Sequence, residues 1–128
     1  MSVQQELAQN IEIHTQVTYS EVESRPSQNY FFFVYKITIK NKGNSTAQLM
    51  SRYWLITDGL GHSEEVRGPG VVGLQPKIQP GQIFEYESAC PLPTPHGSMS
   101  GFYQFQGENG SFQVNIPEFH LISPQALH

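Results

Sequence analysis

The sequence predicts an all-β chain, an antiparallel sandwich of two sheets built from about seven or eight strands. Three observations lead there. Apolar and polar residues alternate with a period of two in several segments, as expected when one face of a sheet packs on a core. From residue 59 onward glycine and proline, 11 and 9 of the 128 residues, recur too densely for a long amphipathic helix. Turn-forming clusters separate the alternating runs with no helical stretch between them, the pattern of a sandwich, with a closed barrel as the competing closure.

The first strand is read at Ile11 to Ser20, where Ile11, Ile13, Val17 and Tyr19 alternate with Glu12, His14, Gln16, Thr18 and Ser20. The second covers Tyr30 to Asn41. It sets Phe31, Phe33, Tyr35, Ile37 and Ile39 on a core face. Its other face begins with Tyr30, Phe32 and Val34 and ends with Lys36, Thr38 and Lys40, so cover is expected over the first half only. Lys42-Gly43-Asn44-Ser45 supplies a turn into a strand at Ala47 to Thr57, in which Trp54 shares a face with Arg52 and Ile56.

Asp58-Gly59-Leu60-Gly61 reverses the chain into a strand at His62 to Val66. Pro76 to Gly81, with prolines that remove ladder donors, marks an edge or a crossover, and Gln82 to Ser88 is a further strand. Cys90 to Gly97, which reads CPLPTPHG, is expected to be an extended loop. Asn109-Gly110 then joins strands at Met99 to Gln106 and Ser111 to Ile116 in a hairpin. A chain of this size buries enough surface to fold as one domain, residues 1–128 with a core from about 11 to 124, without a metal or disulfide staple.

Charge narrows the partners. Seven Lys and Arg against 11 Asp and Glu give a net charge of -4, without the cationic excess that phosphate neutralisation on DNA or RNA requires, so no nucleic acid partner is expected. The opening residues MSVQQELAQN have no basic start and no apolar stretch of signal-peptide length. The apolar run Tyr30 to Tyr35 falls far short of the roughly 20 residues of a membrane helix, so a soluble cytoplasmic chain with no membrane association is expected. The lone Cys90 is compatible with a reducing compartment.

Chemistry-bearing motifs are few. Arg67-Gly68-Pro69-Gly70-Val71-Val72-Gly73 contains the letters GxGxxG, but Pro76 and Pro80 prevent a helix from starting at Gly73, and position 93 is proline where a ribose-binding acid would stand. A bulge or sharp strand crossing explains the glycines structurally. The competing reading is an anion cradle in which the amides of Gly68, Gly70, Val71, Val72 and Gly73 act with Arg67 on a phosphate.

His14, His62, His96, His120 and His128 lack the close spacing of paired metal ligands, and Cys90 has no second cysteine, so no metal site is expected. Glu85 and Glu87 share a strand face, which suits solvent exposure. No nucleophile elbow occurs, so no catalytic residues are assigned and the chain reads as a non-enzyme without a cofactor. Eight Phe, six Tyr and one Trp exceed what chemistry requires. Most fill a core, while Tyr30, Phe32 and Val34 or the Pro91 to Pro95 loop are the candidates for a protein-docking patch.

The segments SRYWLITDGLG (51–61), GPGVVGLQPKIQPGQIFEY (68–86), TPHGSMSGFY (94–103) and IPEFHL (116–121) resemble the ApaG family, in order and over most of the chain. The resemblance implies a fibronectin type III-like sandwich, related in bacteria to small cytoplasmic proteins associated by name with cobalt and magnesium resistance. It also implies a protein-interaction role, since similar domains occur in eukaryotic F-box proteins. The family carries GxGxxG where this chain has Gly68, Gly70 and Gly73, and nucleotide or pyrophosphate binding is implied there by analogy. Tyr53 and Leu74 stand where the family pattern often has His and Glu.

Together these readings give a non-enzymatic binding module, a monomer or weak homodimer, tied to cobalt and magnesium tolerance through a protein partner. The alternative is a nucleotide- or pyrophosphate-binding protein that uses the Gly68 to Gly73 loop.

Overall fold

The computed structural model describes residues 2–127 and contains eight strands in two antiparallel sheets. The strands are β1 (Ile11–Tyr19), β2 (Phe31–Asn41), β3 (Ala47–Asp58), β4 (Ser63–Pro69), β5 (Lys77–Ile78), β6 (Ile83–Leu92), β7 (His96–Gly107) and β8 (Gly110–Ile122). One sheet has the order β1-β2-β6 and the other β4-β3-β7-β8, with the short β5 beside β3. The expected sandwich is therefore observed.

Strict alternation in β2 determines the core. Phe31, Phe33, Tyr35, Ile37 and Ile39 are all buried and face Leu49, Trp54, Met99, Tyr103 and Phe105 of the opposite sheet. Each such side chain contributes about 1.5–3 kcal/mol by leaving water. The other face of β2 is half-buried from Phe32 to Lys40, without the expected change midway.

Proline residues 76 and 80 bracket β5, where the chain leaves the five-stranded sheet and enters the three-stranded one, the crossover read from the sequence. Asn41, buried at this corner, holds it by donating from Nδ2 to the carbonyls of Ser45 and Ile78, while its Oδ1 accepts from the Gly43 amide. A buried amide satisfied on both ends fixes the corner because leaving either end unpaired would cost about 1–3 kcal/mol.

Three local readings are corrected. Most of the expected loop at Cys90 to Gly97 is strand: β6 runs through Leu92 and β7 begins at His96, leaving a link of three residues. Pro91 is accommodated in β6 because that strand is a sheet edge. β8 continues past Ile116 to Ile122 after a register shift opposite Met99 and Gly101, so its alternation is interrupted and then resumes at Phe119 and Leu121. A helix, α1 (Val3–Gln9), precedes β1, with Ser2 and Gln5 forming a reciprocal capping box.

Candidate functional site

β3 places Arg52, Trp54, Ile56 and Asp58 on its inward face, two residues apart. Opposite them on β4 lie Gly68, Val66, Glu64 and, beyond the strand, His62. β4 and β6 are the edge strands of their respective sheets at this side of the sandwich. Between them the sheets leave an open groove of about 470 Å3. Tyr35, Trp54, Met99, Cys90 and Leu92, all buried, border it, and Ser88, Ala89, Pro91 and Pro93 form the lip on the β6 side.

The groove has charge of opposite sign at its two ends. At one end the half-buried Arg52 donates from Nη1 to the carbonyls of Pro69 and Gly70, both at 3.0 Å. Among the described residues no carboxylate pairs with it. A Cβ at Gly68 would sit 3.0 Å from this guanidinium, so a glycine at this position leaves room for the arginine.

At the other end Asp58 accepts from the amides of Leu60 at 2.8 Å and His62 at 3.1 Å. Desolvation opposes ionisation of this carboxyl, but those two amides and the His62 imidazole, 3.4 Å away, outweigh it and hold its pKa below the usual value. The turn is tied to the β6–β7 link, since the Gly59 amide donates to Thr94 Oγ1 and that hydroxyl donates to the His96 carbonyl.

The apolar stretch between the ends changes the protonation of its neighbours. Burial, and secondarily the charge of Glu64, pushes the Cys90 thiol up to about 11, so it is a neutral thiol near neutral pH. Burial likewise raises the Tyr35 phenol, although the Ser88 hydroxyl beside it pulls in the opposite direction. Neither group has the depressed pKa of an activated nucleophile.

The glycine segment forms the end of this region. Gly68 belongs to β4, and residues 71–74 make a two-residue hairpin turn in which Val71 and Leu74 exchange both amide-to-carbonyl bonds at 2.8 Å. Val72 and Gly73, at φ +44° and +80°, occupy its central positions, the signature of a type I′ turn. Gly70 also needs positive φ, and a Cβ there would lie 2.1 Å from the Leu74 carbonyl oxygen.

Of the amides considered for an anion cradle, Gly70 donates to Met50 and Val71 to Leu74. Arg67 points to the outer face, where its guanidinium lies 4.4 Å from the Tyr53 ring centroid and 3.4 Å from Glu65. Val71 is fully buried and closes the core, whereas Val72 and Leu74 are exposed.

The remaining expected residues are dispersed. His14, His62, His96 and His120 lie on different elements, and His128 lies outside the described residues. Among the described residues no group of three or more His, Cys, Asp or Glu side chains could hold a metal ion. Phe32 is half-buried, 6.2 Å from the Tyr30 ring, and Tyr30 is exposed. The groove was not anticipated from the sequence. Arg52, Trp54 and Ile56 were placed on one face, but the gap between two strands 20 residues apart is a property of the sheet packing.

Fold and groove define the class: a two-sheet β-sandwich with an open side between two edge strands. A family profile described as the ApaG domain matches residues 21–107. The chain is 65% identical over 120 residues to Protein ApaG of Bdellovibrio bacteriovorus, covering 93% of this chain and 94% of that protein. It is 50% identical over 120 residues to Protein ApaG of Brucella anthropi, covering 93% and 92%. The chain belongs to the ApaG family.

A solved structure described as an ApaA protein from Bordetella pertussis superposes with a TM-score of 0.87 at 48% identity, over 90% of this chain and 94% of that one. A second, a structural-genomics target, gives 0.88 at 40% identity over 95% and 93%. The C-terminal domain of wzt shares the fold alone, with a TM-score of 0.55 at 10% identity over 89% and 73%.

Proposed function

We propose that the chain is a single-domain, non-enzymatic binding module of the cytoplasm that engages a protein partner through the β4–β6 groove. The observation that carries this reading is the groove itself, a trough with an apolar middle and charged ends, bordered by two strands that each have a single neighbour among the described residues. Such edges attract extended segments of other chains because their backbone donors and acceptors are unpaired. The three strands β1-β2-β6 facing β4-β3-β7-β8 support a fibronectin type III-like description of the sandwich. The tie to cobalt and magnesium tolerance implied by the family resemblance runs through the same partner.

The test is affinity capture from cells that make the protein, comparing the natural chain with a groove-blocked variant, Ser88→Trp, at a half-buried position on the inward-facing side of β6 that lines the groove. A protein retained by the first and lost by the second is the expected result. Retention of nothing by either chain would remove the reading. The alternative, pyrophosphate or a nucleotide held by Arg67 and the Gly68 to Gly73 loop, is tested by an amide-resolved NMR titration with pyrophosphate and ATP, with and without magnesium. Saturable shifts confined to residues 67–75 would put it ahead.

A further inference from the structure

The groove is polarised along its length. Arg52 stands at one end without a carboxylate partner among the described residues, and Asp58 and Glu64 stand at the other, with Trp54, Val66 and Ile56 between them. Arg52 and Asp58 are six residues apart on one strand, which at about 3.3 Å per residue separates the ends by about 20 Å. A seven-residue extended segment spans the same distance and places its first, third, fifth and seventh side chains on one face.

The two bordering strands are not equally able to accept it. β6 carries Pro91 along the groove and Pro93 follows it, so this lip is short of amide donors. β4 carries no proline from Ser63 to Gly68 and, among the described residues, pairs only with β3. A segment added to β4 in antiparallel orientation runs parallel to β3, from the Arg52 end to the Asp58 end.

Resting on the binding-module reading, we propose that the occupant of the groove is an extended segment of a partner protein added antiparallel to β4, with an acidic residue first, apolar residues at the third and fifth positions, and a basic residue at the seventh. The acid meets Arg52, the apolar pair packs on Val66 and Ile56 above the buried Trp54, and the base meets Asp58 and Glu64. Charge at the two ends fixes direction, while the β4 backbone supplies affinity that does not depend on sequence.

The test uses the full chain and two capped peptides of identical composition, Glu-Thr-Val-Thr-Val-Thr-Lys and its reverse, Lys-Thr-Val-Thr-Val-Thr-Glu. Binding is followed by amide shifts and hydrogen exchange. The first peptide should bind about tenfold more tightly than the second, the scale of a lost favourable charge contact. It should also slow exchange at residues 63–68. Glu64→Lys, at an exposed position, should reduce the preference for the first peptide. Equal binding of the two peptides, or protection of β6 in place of β4, would overturn the proposal. If neither peptide binds while a partner is still captured in a groove-dependent manner, the proposal falls and the binding-module reading stands. If the first peptide binds as described but nothing is captured, the wider reading falls and the groove specificity stands.

Discussion

The hydroxyl of Tyr86 lies 2.5 Å from the hydroxyl of Tyr103, a hydrogen bond that joins the two sheets inside the core. Both side chains are buried, Tyr103 completely. The pair makes two polar atoms acceptable where the surrounding residues are apolar. Removing either hydroxyl leaves the other without its partner, at a cost of about 1–3 kcal/mol. Tyr86→Phe and Tyr103→Phe should each destabilise the fold by that order in urea denaturation. The double variant should be less destabilised than the sum of the two, because no orphaned hydroxyl remains. Additive losses would show that the hydroxyls act independently.

The same burial makes the protein sensitive to alkali. Burial raises Tyr86, Tyr103 and Tyr35 above their ordinary value of 10.0, and raises Cys90 from 9.0 to about 11. For a group whose folded pKa is raised, the stability is fully present below the unfolded value and is lost as pH climbs towards the folded one. The melting temperature should therefore hold up to about pH 9 and fall above it as the thiol and then the phenols favour the unfolded chain. Combining Tyr86→Phe with Tyr103→Phe should flatten that decline, as measured by thermal unfolding between about pH 8 and pH 11.

The turn at residues 71–74 contains a β-branched residue at φ +44°. Valine is poorly suited to that conformation, at a cost of about 1–3 kcal/mol, whereas asparagine or glycine adopts it readily. Val72→Asn should raise the urea midpoint, since the Val72 side chain is exposed and contributes little packing. Gly70→Ala should lower it strongly, because the added carbon would overlap the Leu74 carbonyl. Gly73→Ala meets no neighbouring atom and should cost only the strain of its positive φ. A Gly73→Ala loss as large as that of Gly70→Ala would refute this assignment of roles.

Much of the fold was legible because side-chain alternation is a local property. Phe31 to Ile39 reports the buried face of β2 directly, and Pro76 and Pro80 mark the sheet crossover through the donors they lack. The extension of β6 through Pro91 was hidden by the same rule, since proline signals a loop unless the strand is known to be an edge. α1 had a signal in Ser2-Val3-Gln4-Gln5, whose first and fourth residues form its capping box. The groove had none. Arg52 and Asp58 share a face by simple counting, but whether that face is covered depends on how far β4 stands from β6. No periodicity in either strand encodes that separation.

Asp58 offers a test of the anionic end at low pH. Its carboxyl accepts two amide hydrogens and faces the His62 imidazole, which together lower its pKa despite the opposing effect of desolvation. A group with a depressed folded pKa contributes stability above its unfolded value, here 3.8, and that contribution is lost as pH falls through the folded one. The natural chain should therefore lose stability on acidification over this window. Asp58→Asn retains an acceptor oxygen but not the charge, so it should lie below the natural chain at neutral pH and converge with it in acid. Asp58→Ala removes the acceptor as well and should remain the less stable variant throughout, because the Leu60 and His62 amides lose their partner at every pH. Thermal unfolding of the three chains from neutral pH to about pH 2 separates charge from hydrogen bonding. Parallel curves for the natural chain and Asp58→Asn would mean that the negative charge contributes nothing to holding this turn.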